Sequence, residues 1–179
     1  MIILGIDPGS LVTGFGMIES DEHGERLLAQ GTIRLDGKLS HQNRLRTIYE
    51  ELHILIKKHL PDVCAIEMPI YGNNAQSMLK LGRAQAAAML ASLNLQVPVT
   101  EYTPKEVKKA VTGNGNATKE QVRYMIRSIL AISKETEIGL DASDALAVGI
   151  CHIHRGESGK RKPHQSWDSF LRANPDRIV

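Results

Sequence analysis

The sequence predicts an α/β fold, a mixed five-stranded sheet with helices on both faces. Short continuous apolar runs bounded by turn residues indicate buried strands, and apolar residues at helical spacing indicate amphipathic helices. Together they predict the order β-β-β-α-β-α-β-α-α-α. Three strands in close succession form an antiparallel meander, whereas strands reached through helices run parallel to their neighbours.

The meander occupies the first 35 residues. The apolar run "IILGI" (2–6) predicts a strand buried on both faces, and "DPGS" predicts the turn after it. "VTGFGMI" (12–18) predicts the second strand. "DEHGE" then predicts a turn into the third strand, "RLLAQGTIRL" (26–35).

The middle of the chain alternates helices with strands. Apolar residues at helical spacing predict a helix over 40–60, and an Ala-rich segment predicts another over 73–95. Each precedes a buried strand, at 61–69 and 97–102. The small residues of the second helix permit close approach by a neighbour, and the sequence leaves open whether they serve the core or a dimer contact.

Three helices complete the predicted domain, residues 1–155. The Thr-Pro pair at Thr103 begins a helix over 103–113, and a capping box of Thr118 and Gln121 begins another over 118–130. The last spans 141–154. Residues 156–179 are polar and basic and predict a tail, although "SWDSFLRA" could form a short docked helix.

Bulk properties narrow the class of protein. The 179 residues suit one domain with a tail, and the net charge is only +2. Basic residues nevertheless concentrate in the C-terminal half, since 101–127 hold six Lys/Arg against three Glu, a weak indication of an anionic partner. No signal peptide or membrane span is evident, and Cys64 and Cys151 lack metal or redox spacing. We therefore expect buried free thiols and a cytoplasmic location.

Four acids occupy positions where isolated charges are costly. Asp7 ends the first strand and Glu67 ends the fourth, and ligands of open sheets bind at such carboxyl ends. Asp141 and Asp144 lie about 60° apart on an otherwise apolar helix. If that helix crosses the same edge, the crowded carboxylates predict a divalent cation site. Two Mg²⁺ ions, for which Mn²⁺ would substitute, can activate water and stabilise the leaving oxygen of a phosphodiester.

Each acid also has a structural interpretation when it is taken alone. Asp7 belongs to a "DPG" turn, which is common, and Glu67 could be exposed at a strand end. Asp141 could be an N-cap of the last helix, and Asp144 could pair with a nearby Lys or Arg. The metal interpretation is favoured because all four residues fall at one predicted sheet edge.

The motifs together resemble the RuvC family of Holliday-junction resolvases. The similar segments are "ILGIDPGS…TGFG", "AIEMPIYGNNAQSMLKLGRAQAAA", "VKKAVTGNGNATKEQV" and "DASDALAVGICH", within residues 2–154. The resemblance implies a ribonuclease H-like fold, a homodimer, and magnesium-dependent cutting of four-way DNA junctions. It also implies action with the RuvA–RuvB branch-migration complex.

The resemblance assigns roles to individual residues. The four acids match the metal-binding, catalytic positions, and Lys108 and Lys119 match basic positions tied to DNA binding and catalysis. Arg123 is a further candidate for DNA contact. Family members often carry an aromatic residue three positions after the catalytic Glu, where this chain has Ile70 followed by Tyr71. Either Tyr71 stacks on junction bases, Ile70 acts as a wedge, or both pack on the sheet edge.

The expected activity is paired, symmetric nicking that leaves 5′-phosphate and 3′-hydroxyl ends. Three other functions compete with it. An actin-like ATPase or sugar kinase would need a second domain for the nucleotide, which this chain lacks. A non-catalytic junction-binding protein would have no use for the complete acidic set. A related nuclease for another branched or RNA-containing substrate is compatible with the acids, because metal chemistry acts on phosphates rather than on base sequence.

Overall fold

A computed structural model describes residues 1–69, 74–133 and 135–160, with side chains as far as residue 156. Its elements follow the predicted order. The strands are β1 (Ile2–Asp7), β2 (Val12–Asp21), β3 (Gly24–Arg34), β4 (Val63–Glu67) and β5 (Val99–Tyr102). The helices are α1 (His41–His59), α2 (Ala75–Leu93), α3 (Pro104–Thr112), α4 (Lys119–Ile129) and α5 (Leu140–Lys160).

The strands form one five-stranded sheet in the order β3-β2-β1-β4-β5. β2 runs antiparallel to both β1 and β3, whereas β4 runs parallel to β1 and β5 parallel to β4. The register pairs Ile6 with Ile66. The next residues, Asp7 and Glu67, therefore end two neighbouring parallel strands side by side. The predicted mixed sheet is confirmed. Its antiparallel pairs end at β1, and its parallel pairs begin with β1 and β4.

Each face of the sheet carries its own apolar core. Side chains of α1 and α2 pack on one face, where Leu4, Ile66 and Ala88 are fully buried. Side chains of α3, α4 and α5 pack on the other face, around residues such as Ile3, Ile126 and Leu146. The small residues Ala84, Ala88 and Ala91 therefore serve the core, where α2 packs chiefly against α1.

Helix α5 lies unusually close to the middle of the sheet because glycines face it. A Cβ atom on Gly5 would come within 2.1 Å of the Ala145 carbonyl oxygen, and one on Gly14 within 2.0 Å of the Asp141 carbonyl oxygen. Real Cβ atoms do not approach backbone so closely, so no larger residue fits at either position without movement of the helix. The glycines of β1 and β2 thus determine where α5 crosses the sheet.

Several smaller predictions can be compared with the structure. Cys64 and Cys151 are free and buried, as expected. Helix α5 continues to Lys160, beyond the domain boundary predicted at residue 155, and most of the predicted tail (161–179) lies outside the described residues. Within the described part of the chain, no helix has the length and apolar character needed to cross a membrane.

Candidate active site

The first two acids meet at the carboxyl edge of the sheet. Asp7 is the last residue of β1 and Glu67 the last residue of β4, and these strands are parallel neighbours. The side chains of both residues line one cleft of about 210 Å³. The position follows from the sequence, because each apolar run that forms a central strand ends at a carboxylate.

Helix α5 brings the other two acids to the same edge. Asp144 lines the cleft together with Asp7 and Glu67, and Asp141 lies one turn earlier on the helix, near enough for its charge to act on Asp7. Asp141 is the second residue of α5, inside the first turn, so the alternative that it serves as the N-cap is wrong. The predicted convergence of the four acids on one edge is present in the fold.

Burial and mutual repulsion raise the pKa of both strand-end acids. Desolvation, followed by the negative charge of Asp144, raises the pKa of Asp7 from 3.8 to about 6. Desolvation, followed by the charges of Asp7 and Asp144, raises the pKa of Glu67 from 4.5 to about 8. Both carboxylates are therefore held where their ionised forms are unfavourable unless a cation compensates them.

One lysine already supplies part of this compensation. Lys119 Nζ lies 2.5 Å from Asp144 Oδ2. This hydrogen bond is the largest cause of the raised pKa of Lys119. The alternative that Asp144 pairs with a basic residue is thus also realised. Lys108 lines the same cleft, and its charge acts on Glu67 in the direction that favours the carboxylate. Both lysines predicted to take part in the site are present in it.

The donor set fits a hard divalent cation. The four acids offer oxygen ligands only, which suits Mg²⁺ or Mn²⁺ rather than zinc. The raised pKa values of Asp7 and Glu67 have burial as their largest cause and the charges of neighbouring carboxylates as the next, and a bound cation would offset both effects. Among the described residues, no three His, Cys, Asp or Glu side chains are grouped closely enough to hold a metal ion as they stand.

Two capping boxes place the lysines. The box of Thr118 and Gln121, which the sequence predicts, begins α4 so that Lys119 is its first residue. A second box joins Thr103 and Glu106 at the start of α3, with Pro104 as the first helical residue, and it places Lys108 over the cleft. The second box is not among the sequence predictions, although its T-x-x-E pattern is present in the sequence.

The remaining site predictions have different outcomes. Arg123 lies on α4 but does not line the cleft, so its contact with DNA stays a prediction. Ile70 and Tyr71, proposed as wedge or stacking residues, lie outside the described residues. Two histidines of α5 that carry no predicted role bond to neighbouring elements: His152 Nδ1 is 2.8 Å from Tyr102 Oη, and His154 Nδ1 is 3.1 Å from the Ala110 carbonyl oxygen.

The fold and the site together define a class of protein. A mixed sheet in the order β3-β2-β1-β4-β5, with carboxylates where β1 and β4 end and a further pair on a helix crossing that edge, is the arrangement of a ribonuclease H-like nuclease.

Comparison with known proteins narrows the class to a family. The family model described as "Crossover junction endodeoxyribonuclease RuvC" matches residues 3–152. The chain is 53% identical over 178 residues to the crossover junction endodeoxyribonuclease RuvC of Salinibacter ruber, covering 99% of each chain. It is 43% identical to the protein of the same name from Porphyromonas gingivalis, covering 99% of this chain and 96% of the relative.

Solved structures agree with the sequence comparison. Thermus thermophilus RuvC superposes with a TM-score of 0.81 and 29% identity, covering 89% of this chain and 97% of that chain. The same protein in complex with a Holliday junction substrate gives a TM-score of 0.79 and 28% identity, covering 89% and 96%. The chain belongs to the RuvC family of crossover junction endodeoxyribonucleases, as its motifs indicate.

Proposed function

We propose that this chain is a structure-selective endonuclease that resolves four-way DNA junctions in homologous recombination and DNA repair. The observation that carries the proposal is the convergence of Asp7, Glu67 and Asp144 with Lys108 and Lys119 in one cleft. Similarity to relatives named as junction endonucleases, and to a structure that contains a Holliday junction, supports the substrate.

The acids provide the metal site of this proposal. Asp7, Glu67, Asp141 and Asp144 would hold two Mg²⁺ ions, with Mn²⁺ as a substitute. When bound, the metal would activate a water molecule for in-line attack on the scissile phosphate and stabilise the departing 3′-oxygen, which leaves 5′-phosphate and 3′-hydroxyl ends. Burial, and after it the charges of Asp7 and Asp144, raises the pKa of Glu67, and a bound cation would offset both effects, which supports this role.

The two lysines would position the DNA strand. Lys119 now pairs with Asp144, and a phosphate group entering the cleft would offer its ammonium group an alternative anionic partner. Lys108 reaches the cleft from α3, on a different helix from Lys119. A phosphate between the two helices would therefore contact cations on two sides, and the acids would remain free to bind metal.

A homodimer would match the two-fold symmetry of the substrate. Each subunit would carry one active site, so an isologous dimer would place two sites on opposing strands of a four-way junction. Leu79 and Leu90 lie almost on the same face of α2, and they are 54% and 53% exposed. Such exposed apolar side chains support a subunit contact along this helix.

Three further assignments belong to the same proposal. The protein would act in the cytoplasm with a RuvA–RuvB branch-migration complex, as the family resemblance implies. The catalytic domain would comprise residues 1–155, and the basic segment 156–179 would add salt-sensitive affinity for DNA. Wedging or stacking by Ile70 or Tyr71 would open the junction at the cleft.

The decisive experiment uses a synthetic four-way junction labelled in turn on each strand, beside linear duplex of the same sequence. We expect paired, symmetric nicks on the junction alone, in Mg²⁺ but not in EDTA. Asp7→Asn should abolish nicking and preserve junction binding, whereas Glu51→Gln, the removal of an exposed carboxylate on α1, should change neither.

Three results would contradict parts of the proposal. Binding without nicking in either condition would indicate a non-catalytic junction-binding protein. Cleavage of linear or RNA-containing duplex would retain the metal site and reject junction selectivity. Full activity of a variant lacking all four acids would reject the catalytic site itself.

A further inference from the structure

A second group of basic side chains lies on the other side of the active-site edge. It comprises His41 and Arg44 on α1 with Lys80 and Arg83 on α2, here called the α1–α2 basic cluster. Helices α1 and α2 cover one face of the sheet, and α3, α4 and α5 cover the other. The two cleft lysines lie on α3 and α4. No role in the proposed chemistry has been assigned to them above.

The topology places this cluster at the active-site edge. β3 and β4 run in the same direction as β1, so all three strands end at the edge where Asp7 lies. α1 follows β3 and α2 follows β4, and the two helices pack against each other, so both begin at that edge. A direct contact supports the placement, since Arg44 Nη1 donates to the Ser10 carbonyl oxygen at 3.1 Å, in the loop that follows Asp7.

The charges of the cluster act on one another. After desolvation, the causes that lower the pKa of His41 are the positive charges of Arg44, Arg83 and Lys80, in that order. Neither α1 nor α2 has an acidic residue in its first turn, so the partial positive charge of each helix N-terminus adds to the same potential. None of the ion pairs formed by the described residues involves Arg44, Lys80 or Arg83.

Polar atoms in the cluster lack partners as well. Both ring nitrogens of His41 and Nε of Arg44 are shielded from solvent, and they have no hydrogen-bond partner among the described residues. Unpaired polar atoms of this kind are uncommon in folded proteins and usually indicate an unfilled interaction. Lys80 and Arg83 are exposed in the single chain, and Lys80 lies roughly 80–100° around α2 from Leu79 and Leu90, so a ligand can reach it beside the proposed subunit contact.

We infer that the α1–α2 basic cluster is a second phosphate-binding surface for junction DNA, across the active-site edge from Lys108 and Lys119. The inference rests on the proposed function. Phosphate fits because it is anionic and accepts several hydrogen bonds, which Arg, Lys and His side chains donate. With basic groups on both sides of the acids, DNA backbone would be held before and after the scissile phosphate.

The test measures the salt dependence of junction binding in EDTA, without cleavage. The variant is Lys80→Gln/Arg83→Gln, and the control is Lys57→Gln/Lys58→Gln, which removes two exposed charges from the opposite end of α1. Each lost phosphate contact reduces the slope of log K against log salt by about 0.9. We therefore expect a slope shallower by roughly 1–2 and affinity lower by on the order of tenfold at ~0.1 M salt.

Charge-conserving and oligomerisation measurements separate DNA contact from a structural role. Lys80→Arg/Arg83→Lys should restore the slope, and sedimentation should show the same oligomeric state for every variant. An unchanged slope and affinity in the Gln variant would overturn the inference, as would loss of affinity accompanied by a change in oligomeric state. If the unmodified protein binds junction no better than linear duplex, the proposed function fails first, and the inference fails with it.

Discussion

Replacement of Glu67 by Gln should stabilise the metal-free protein at alkaline pH, although it should destroy the active site. Glu67 has a pKa of about 8 because it is buried beside Asp7 and Asp144. A carboxyl group with a raised folded-state pKa is protonated more readily in the native protein than in the unfolded chain. Its ionisation therefore favours unfolding.

The sign of the effect defines the pH window. Well below pH 4.5 the Glu67 carboxyl is protonated in both states, so it imposes no penalty on the native state. Between pH 4.5 and about 8 the unfolded chain ionises first, and native stability is progressively lost. Above about 8 the loss is complete. Gln cannot ionise, so the variant avoids the loss entirely.

The size of the effect follows from the same pKa values. The interval from 4.5 to about 8 corresponds to an upper limit of roughly 5 kcal/mol, at about 1.4 kcal/mol for each pH unit. Part of this energy is recovered in the native protein because the side chain retains some solvent contact, whereas the attraction of Lys119 and Lys108 is already contained in the pKa of about 8. We therefore expect a net gain of about 1–3 kcal/mol for the variant above pH 8.

The assay is urea unfolding in EDTA at pH 5 and pH 9. The free energy of unfolding of Glu67→Gln should exceed that of the unmodified protein clearly at pH 9 and by about 1 kcal/mol or less at pH 5. The matched control Glu51→Gln removes an exposed carboxylate and should have little effect at either pH. A variant that is no more stable than the unmodified protein at pH 9, or that differs from it equally at both pH values, would refute the reasoning.

Three other perturbations, one of them with a control substitution at Gly82, test the support of the site. Gly5→Ala should destabilise the fold by several kcal/mol in urea unfolding, because its Cβ would meet the carbonyl of α5 at 2.1 Å. Gly82→Ala, at a helical position where an added Cβ would meet no atom of another segment within 4 Å, should instead be neutral or stabilising by up to about 1 kcal/mol. Thr118→Ala should cost about 1 kcal/mol in the same assay through loss of its capping box, and equal stability would contradict that role. Lys119→Ala should weaken junction binding and lower the cleavage rate, and unchanged kinetics would remove Lys119 from the mechanism.

Much of the fold could be predicted because its signals are local. Short continuous apolar runs bounded by turns, such as that of β1, favour buried strands, and short connections leave the meander little choice of partner. The capping box at Thr118 could be recognised because it depends only on residues three positions apart. The strand-end positions of Asp7 and Glu67 follow from the same runs, since each acid directly succeeds the last buried residue.

Other parts depend on contacts between residues distant in the sequence. Gly5 and Gly14 are inconspicuous in the sequence. Their importance becomes clear only in the fold, where a Cβ atom at either position would lie 2.0–2.1 Å from a carbonyl oxygen of α5. The α1–α2 basic cluster is equally hidden, since His41 and Arg83 are widely separated along the chain and meet only where two helices begin at one edge.

The sequence by itself determined the element order, the α/β class and the four acids, because these follow from local apolar patterns and from where charges interrupt them. Only the tertiary structure decided that Lys119 pairs with Asp144, that Glu67 has a pKa of about 8, and that basic groups flank the acids on both faces. The physical reason is that electrostatic energy depends on distance and burial. Those quantities are set by the packing of α5 and the crossover helices on the sheet, which no single segment encodes.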